Sequence, residues 1–274
     1  MNNLILLRGG GDLASGIALR LHHAGYPILI TELPQPLAVR RAVAFCEAVY
    51  ENEWTVENIR ARLTTNRAQI ETLLAQREIA VLIDPSLEQF TTFGWQPAAI
   101  IDARLIKTPA PNLPPACPFT IGLGPGFSAG HNCHAFVETQ RGHTLGRVYW
   151  NGTASQDTGQ PDGDSRRVLR APSRGTLIGY ANIGDHITAG QLVAAISEPD
   201  GSLHDIPAPF PGVLRGLIRP GIQVTAGLKI GDIDERNQRE YCFLASDKAL
   251  AIGGGVLEAL LTQQTAAHQA EPAR

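Results

Sequence analysis

A stretch of this chain repeats itself. Ala171-Pro-Ser-Arg-Gly-Thr-Leu-Ile-Gly179 aligns without gaps on Ala208-Pro-Phe-Pro-Gly-Val-Leu-Arg-Gly216, at an offset of 37 residues (208 − 171). The match continues: Gly184 falls on Gly221, Ile187-Thr-Ala-Gly190 on Val224-Thr-Ala-Gly227 and Ile196 on Ile233, giving ten identities over the 26 aligned positions 171–196. A unit this short cannot bury its apolar face alone. The two copies are therefore expected to pair as interlocked hairpins about a pseudo-twofold axis.

Such pairing resembles the lipoyl/biotinyl-carrier fold, a barrel-sandwich hybrid, over residues 166–236. In carriers of that type the hairpin between the halves presents a lysine for modification. The corresponding stretch here, Ser197-Glu-Pro-Asp-Gly-Ser202, has no lysine, so the resemblance implies a binding or docking surface and not a swinging arm.

The amino-terminal part has a different texture. Leu4 to Leu7 is an apolar run that meets Arg8-Gly9-Gly10-Gly11-Asp12, followed by Leu13, Ala14, Ile17, Ala18 and Leu21 at helical spacing. This reads as strand, tight turn, helix. Ile28 to Thr31 ends at Glu32, Ala80 to Ile83 at Asp84, Ala98 to Ile101 at Asp102, and Phe119 to Ile121 at Gly122-Leu-Gly124-Pro-Gly126. If these five runs are parallel strands, their endings share the sheet edge where open α/β folds bind ligands. Helical periodicity is also read over Pro36 to Tyr50 and Thr65 to Arg77, and again from Ser246, where Gly253-Gly-Gly255 suggests close packing against another backbone. Ala135 to Glu138 and Arg147 to Trp150 read as antiparallel strands. The expected fold class is α/β: a Rossmann-like parallel sheet over 1–115, a glycine-rich β connection over 116–165, the all-β barrel-sandwich hybrid over 166–236, and a carboxyl-terminal helix and tail over 237–274.

Composition narrows the functions. Lys+Arg 23 against Asp+Glu 26 gives a formal charge of −3, so no overall basic field attracts nucleic acid or an anionic membrane. Only Lys107, Lys229 and Lys248 are lysines, and arginine is the residue that grips planar anions, so a local anion site is compatible with the composition. No apolar run approaches the roughly 18 residues of a membrane span, which makes the cytoplasm the expected location. Cys46, Cys117, Cys133 and Cys242 lie far apart without metal-ligand spacing, and no metal site is expected.

Gly9-x-Gly11-x-x-Ala14, with Glu32 21 residues beyond Gly11 (32 − 11), is the dinucleotide-binding pattern. Glycine admits a pyrophosphate, the helix start supplies N–H groups, and the acid accepts ribose hydroxyls. The alternative is a tight turn without ligand, and Asp12 beside the glycines would repel phosphate. The candidate binding residues are Gly9, Gly10, Gly11, Asp12, Glu32, Arg104, Gly124 and Gly126. Glu138-Thr-Gln-Arg-Gly-His143 is the densest set of acid, base and anion-binding groups, which makes Glu138, Arg141 and His143 the candidate catalytic residues. Ordinary hairpins carry such groups too. The chain has no short-chain-dehydrogenase Tyr-x-x-x-Lys pair beside the first glycine loop, no P-loop and no Gly-x-Ser-x-Gly elbow.

Gly10-Gly-Asp-Leu-Ala14, Glu32-Leu-Pro-Gln-Pro36, Arg40-Arg41, Asp102-Ala-Arg104, Ile121 to Phe127, Glu138 to His143, Leu145-Gly-Arg147, Lys229 to Asp234, Ser246-Asp-Lys248 and Gly253 to Glu258 together resemble the YqeB family, which is associated with selenium-dependent molybdenum hydroxylase systems. The resemblance implies an accessory protein for maturation or cofactor handling of such hydroxylases. Its ligand would be phosphorylated, a pyranopterin molybdenum cofactor or a dinucleotide, and its partners the hydroxylase or other maturation proteins, with no nucleic acid and no membrane. Two alternatives stand beside it: an NAD(P)-dependent oxidoreductase using His143 or Lys248 as acid/base, and a non-enzymatic docking scaffold. Whether the chain catalyses a reaction is left open.

Overall fold

The computed structural model describes residues 3–114, 117–157 and 164–270; the expected boundary at 115/116 lies outside them. The chain opens with β1 (Ile5–Arg8), α1 (Asp12–His23) and β2 (Ile28–Glu32). Two 3-10 turns, Arg41–Val43 and Phe45–Glu47, and the single turn α2 (Ala48–Glu51) lead into the hairpin β3 (Glu53–Val56) and β4 (Ile59–Thr64). Then come α3 (Arg67–Ala75), β5 (Ile79–Ile83), α4 (Glu88–Thr92), β6 (Ala99–Asp102), β7 (Phe119–Leu123), β8 (Ala135–Val137) and β9 (Val148–Tyr149). These nine strands make one sheet in the order β3-β4-β5-β2-β1-β6-β7-β8-β9.

The central strands are apolar on both faces because both faces are covered. Ile5 and Leu7 join the core with Ile17 and Leu21 of α1, whereas Leu4 and Leu6 join Ile70, Leu73 and Leu74 of α3. Asn66 caps α3 by accepting from the Gln69 amide at 3.0 Å. The runs ending at Arg8, Glu32, Ile83, Asp102 and Leu123 are parallel and finish on one edge.

The Rossmann-like parallel sheet expected from these runs is nevertheless corrected, because the sheet is mixed. Glu57 and Asn58, at φ +46° and +68°, form a two-residue reversal that lays β3 antiparallel on β4. At the opposite edge β9 returns antiparallel on β8. The region read as a helix from Pro36 to Tyr50 is mostly 3-10 turns.

The repeat supplies β10 (Val168–Arg170), β11 (Gly175–Gly179), β12 (His186–Ile187), β13 (Leu192–Ser197), β14 (Leu203–Pro207), β15 (Gly212–Leu217), β16 (Gln223–Val224) and β17 (Lys229–Asp234). They form two four-stranded antiparallel sheets, β10-β17-β15-β12 and β14-β13-β11-β16. The copies exchange their short strands: β12 of the first pairs with β15, and β16 of the second pairs with β11. Equivalent residues fill the shared core, Leu177, Ile187, Val193 and Ile196 meeting Leu214, Val224, Ile230 and Ile233. The expected lipoyl-type barrel-sandwich hybrid is corrected to this pair of discrete sheets. Each keeps its own open edges, β10 and β12 on one and β14 and β16 on the other, so the hydrogen-bond ladder does not close among the described residues.

A 3-10 turn at Arg239–Cys242 precedes the last helix, α5 (Asp247–Ala270), which packs along α1. A Cβ on Gly253 would stand 2.9 Å from the Gly16 carbonyl oxygen, and one on Gly255 would stand 2.1 Å from that of Gly146. Gly254 meets nothing, so two of the three glycines are demanded by backbone approach. Among the described residues no helix is long and apolar enough to cross a membrane.

Candidate functional site

The glycine bend between β1 and α1 is closed from within. Gly9 takes φ +91°, which frees the chain to turn, and the Gly10 amide then donates to Glu32 Oε2 at 2.6 Å. Glu32 Oε1 accepts from the Leu33 amide at 2.7 Å. The Gly10 carbonyl accepts the Cys46 amide at 2.9 Å, and a Cβ at Gly10 would lie 3.0 Å from that same nitrogen. The bend is thus stitched to the end of β2 and to the 3-10 turns. Burial raises the Glu32 pKa, although both amide bonds oppose the shift.

Alongside this bend the outer face of the β10-β17-β15-β12 sheet approaches the carboxyl edge of the nine-stranded sheet. Val39 packs on Gly216, Arg41 Nε donates to the Leu217 carbonyl at 3.1 Å, and Arg219 bonds Glu47 at 2.9 Å and also Glu51. Between the two lies a trench of about 360 Å³ lined by Arg40, Lys107, Arg141, Arg167, Arg170, Arg215, Lys229 and Lys248, against Asp12, Asp157 and Asp232. Eight cationic side chains face three carboxylates. The trench continues past Lys107, Arg141 and Lys248 into a recess of about 380 Å³, and past Arg40 and Lys229 into a slot of about 480 Å³.

Asp232 is the hub of the trench. It is buried and holds Arg167 at 2.9 Å, Lys229 at 3.5 Å and Arg215 at 3.7 Å. Arg40 is 8% exposed. Its Nη2 donates to the Tyr241 and Leu244 carbonyls at 2.9 Å each, and Nη1 stands 3.8 Å from Asp12. Its Nε and Nη1 have no hydrogen-bond partner, and neither has Arg215 Nε. Burial lowers the Arg40 pKa, and the neighbouring Arg215 charge lowers it further. Buried donors without acceptors are costly.

The second copy of the repeat makes this surface by departing from the first. Arg215, Lys229 and Asp232 occupy the positions held in the first copy by Ile178, Leu192 and Ala195. The ladder departs too. In the first copy Leu177, Ile178 and Gly179 pair in unbroken register with Ile196, Ala195 and Ala194. In the second, Leu214 pairs with Ile233 and Gly216 with Asp232, leaving Arg215 as an extra residue in a β-bulge. Bulges re-aim side chains, and this one carries a trench arginine.

The residues singled out from sequence are distributed unevenly. Gly9, Gly11, Asp12, Glu32 and Arg104 line the slot, where Arg104 is held by Asp102 at 2.8 Å and 2.5 Å. Gly10 is spent on Glu32 and Cys46. Gly124 (φ +92°) and Gly126 instead admit the backbone and side chains of Leu105, Ile106 and Thr108. Glu138 accepts the amides of Thr139, Gln140 and Ser155 at 2.7, 2.8 and 3.0 Å. Burial alone would raise its pKa, but these bonds outweigh it and the pKa falls, so Glu138 positions the recess wall. Arg141 lines recess and trench and bonds Asp247 at 3.1 Å. His143 is exposed and lines neither. Arg167, Arg170, Arg215 and Asp232 were not anticipated. Among the described residues no group of three or more His, Cys, Asp or Glu side chains is arranged to hold a metal ion.

The chain is 43% identical over 264 residues to the uncharacterized protein YqeB of Escherichia coli (strain K12), a match covering 95% of this chain and 48% of that protein. It thus spans about half the length of the curated relative it matches. No family model matches. Among solved structures it bears a slight likeness to an aspartoacylase family protein from Mesorhizobium loti, 13% identical over 85% of each chain with a TM-score of 0.28. A succinylglutamate desuccinylase from Silicibacter is likewise 13% identical, over 85% of this chain and 84% of that one, with a TM-score of 0.27.

The geometry corrects two expectations, the molybdenum-hydroxylase accessory protein and the NAD(P)-dependent oxidoreductase. A dinucleotide or pyranopterin phosphate at the first turn needs a free Gly10 amide, and here that amide is spent on Glu32. The docking scaffold is corrected in that the part of the repeat module carrying Gly216 and Arg219 packs against residues 39–51 of its own chain.

Proposed function

We propose that this chain, which belongs with the YqeB family by its similarity, binds a small ligand carrying two or more carboxylates in the arginine trench. One observation carries the reading: the trench sets eight cationic side chains against three carboxylates, and among the cations is the buried Arg40. Phosphate esters are commonly held by backbone amides at a glycine turn, but that turn is closed here and Asp12 stands at the start of α1. Anion recognition therefore falls to guanidinium forks, whose planar donors match planar carboxylates. With eight cations facing three carboxylates, one acid group would leave the trench strongly positive. We place this binding in the cytoplasm, in keeping with free Cys46, Cys117, Cys133 and Cys242.

Thermal unfolding of the full chain with citrate, succinate or inorganic phosphate, at matched ionic strength, tests it. Citrate should stabilise most, by about 2.7 kcal/mol at a hundred times its Kd. Equal stabilisation by sodium chloride, or a larger effect of phosphate than of citrate, would overturn the reading.

A further inference from the structure

The slot beside Arg40 differs in character from the trench it opens into. Beside the charged Arg8, Asp12, Glu32, Arg40, Arg104 and Lys229 it has an apolar wall of Leu33, Pro36, Leu37, Val39 and Leu105. Leu33 and Leu37 stand 49% and 46% exposed. Large apolar side chains left in water around a concavity mark a surface that a ligand covers. Leu105 divides slot from recess, lining both, and is held at φ +55°, a left-handed conformation that costs a branched residue free energy. Glu32 lines the slot as well. Each of its oxygens accepts one backbone N–H, which leaves further lone-pair capacity on both.

The geometry points to an amphipathic ligand: an uncharged aryl body in the slot, bearing an N–H or O–H that donates to Glu32, joined to the acid groups held in the trench. This rests on the polycarboxylate reading and deepens it by naming the rest of the molecule. The apolar walls give affinity for the ring, and Glu32 selects rings that carry a donor. The burial that raises the Glu32 pKa fits a carboxylate short of donors. Volume agrees, since about 480 Å³ lies within the range of small-molecule pockets.

Isothermal titration calorimetry of the full chain with succinate, phthalate and 4-aminophthalate separates the parts. Phthalate should bind about tenfold more tightly than succinate through ring burial, and 4-aminophthalate several-fold more tightly than phthalate through the added hydrogen bond. Leu37→Ser, at an exposed position, should shrink the phthalate advantage to about threefold or less without altering succinate binding. Glu32→Gln should erode the amino-group advantage, and circular dichroism of that variant checks that the bend survives. If succinate binds and phthalate is no tighter, the slot inference fails while the trench reading stands. If the aminophthalate advantage is absent from the native chain, the role given to Glu32 fails. If none of the three binds, both readings fall.

Discussion

The two copies of the repeat share a backbone plan and a set of core residues, yet the charged trench is lined by the second copy and not by the first. Leu177, Ile187, Val193 and Ile196 have their counterparts in Leu214, Val224, Ile230 and Ile233, and all eight are buried. Where the copies part, the first keeps Ile178, Leu192 and Ala195 while the second has Arg215, Lys229 and Asp232, with a bulge at the arginine. What is common to both copies specifies the fold. What differs marks the surface put to use.

Returning each departed residue to its counterpart breaks that comparison in steps. Asp232→Ala should have the largest effect, because it removes the buried carboxylate that Arg167, Arg215 and Lys229 share; we expect a loss of about 3 kcal/mol or more in urea unfolding. A loss below about 1 kcal/mol would mean the hub is ornamental. Arg215→Ile should leave stability within about 1 kcal/mol, since Asp232 keeps Arg167 and Lys229 and Asp234 keeps Arg236 when the two 3.7 Å pairs of Arg215 are lost, but weaken citrate binding tenfold or more by calorimetry. Unchanged affinity would remove Arg215 from the site.

The acid limb of the stability curve offers a third test. Asp234 bonds Arg236 at 2.6 Å, and this contact holds its pKa below the ordinary carboxylate value. It therefore contributes stability above the unfolded-state pKa, lost as pH falls through the folded one. Glu32 runs oppositely: its raised pKa gives stability present below the unfolded value and lost as pH rises through the folded one. Asp234→Asn should accordingly flatten the acid limb, whereas Glu32→Gln should abolish a decline on the less acidic side; the same sign in both would refute the assignment. Lys229→Leu, at a half-exposed position, should be smallest, within about 0.5 kcal/mol of stability and about threefold in citrate affinity.

Sequence patterns were informative where chain neighbours decide structure. The apolar runs of β1, β2, β5, β6 and β7 and the repeat could be read directly. The β3/β4 hairpin was missed because its reversal uses Glu57-Asn58, without the glycine that signals such turns. The region from Pro36 to Tyr50 keeps helical spacing of apolar residues yet folds as 3-10 turns, because it must follow the bend and the module at once. The trench was illegible for another reason: Arg40, Arg141, Arg167 and Arg215 come from distant segments, and periodicity reports only local order. A signal was still present, since charged residues at 215, 229 and 232 interrupt positions that are apolar in the first copy.

The contacts of Gly253 and Gly255 have a consequence beyond helix packing. They seat α5 on Gly16 and Gly146 with no side chain between, and the first turn of that helix carries Lys248 into the recess. Even one methyl at Gly255 would act as a shim, tilting the helix and carrying the lysine with it, so a position remote from the cleft would set its width.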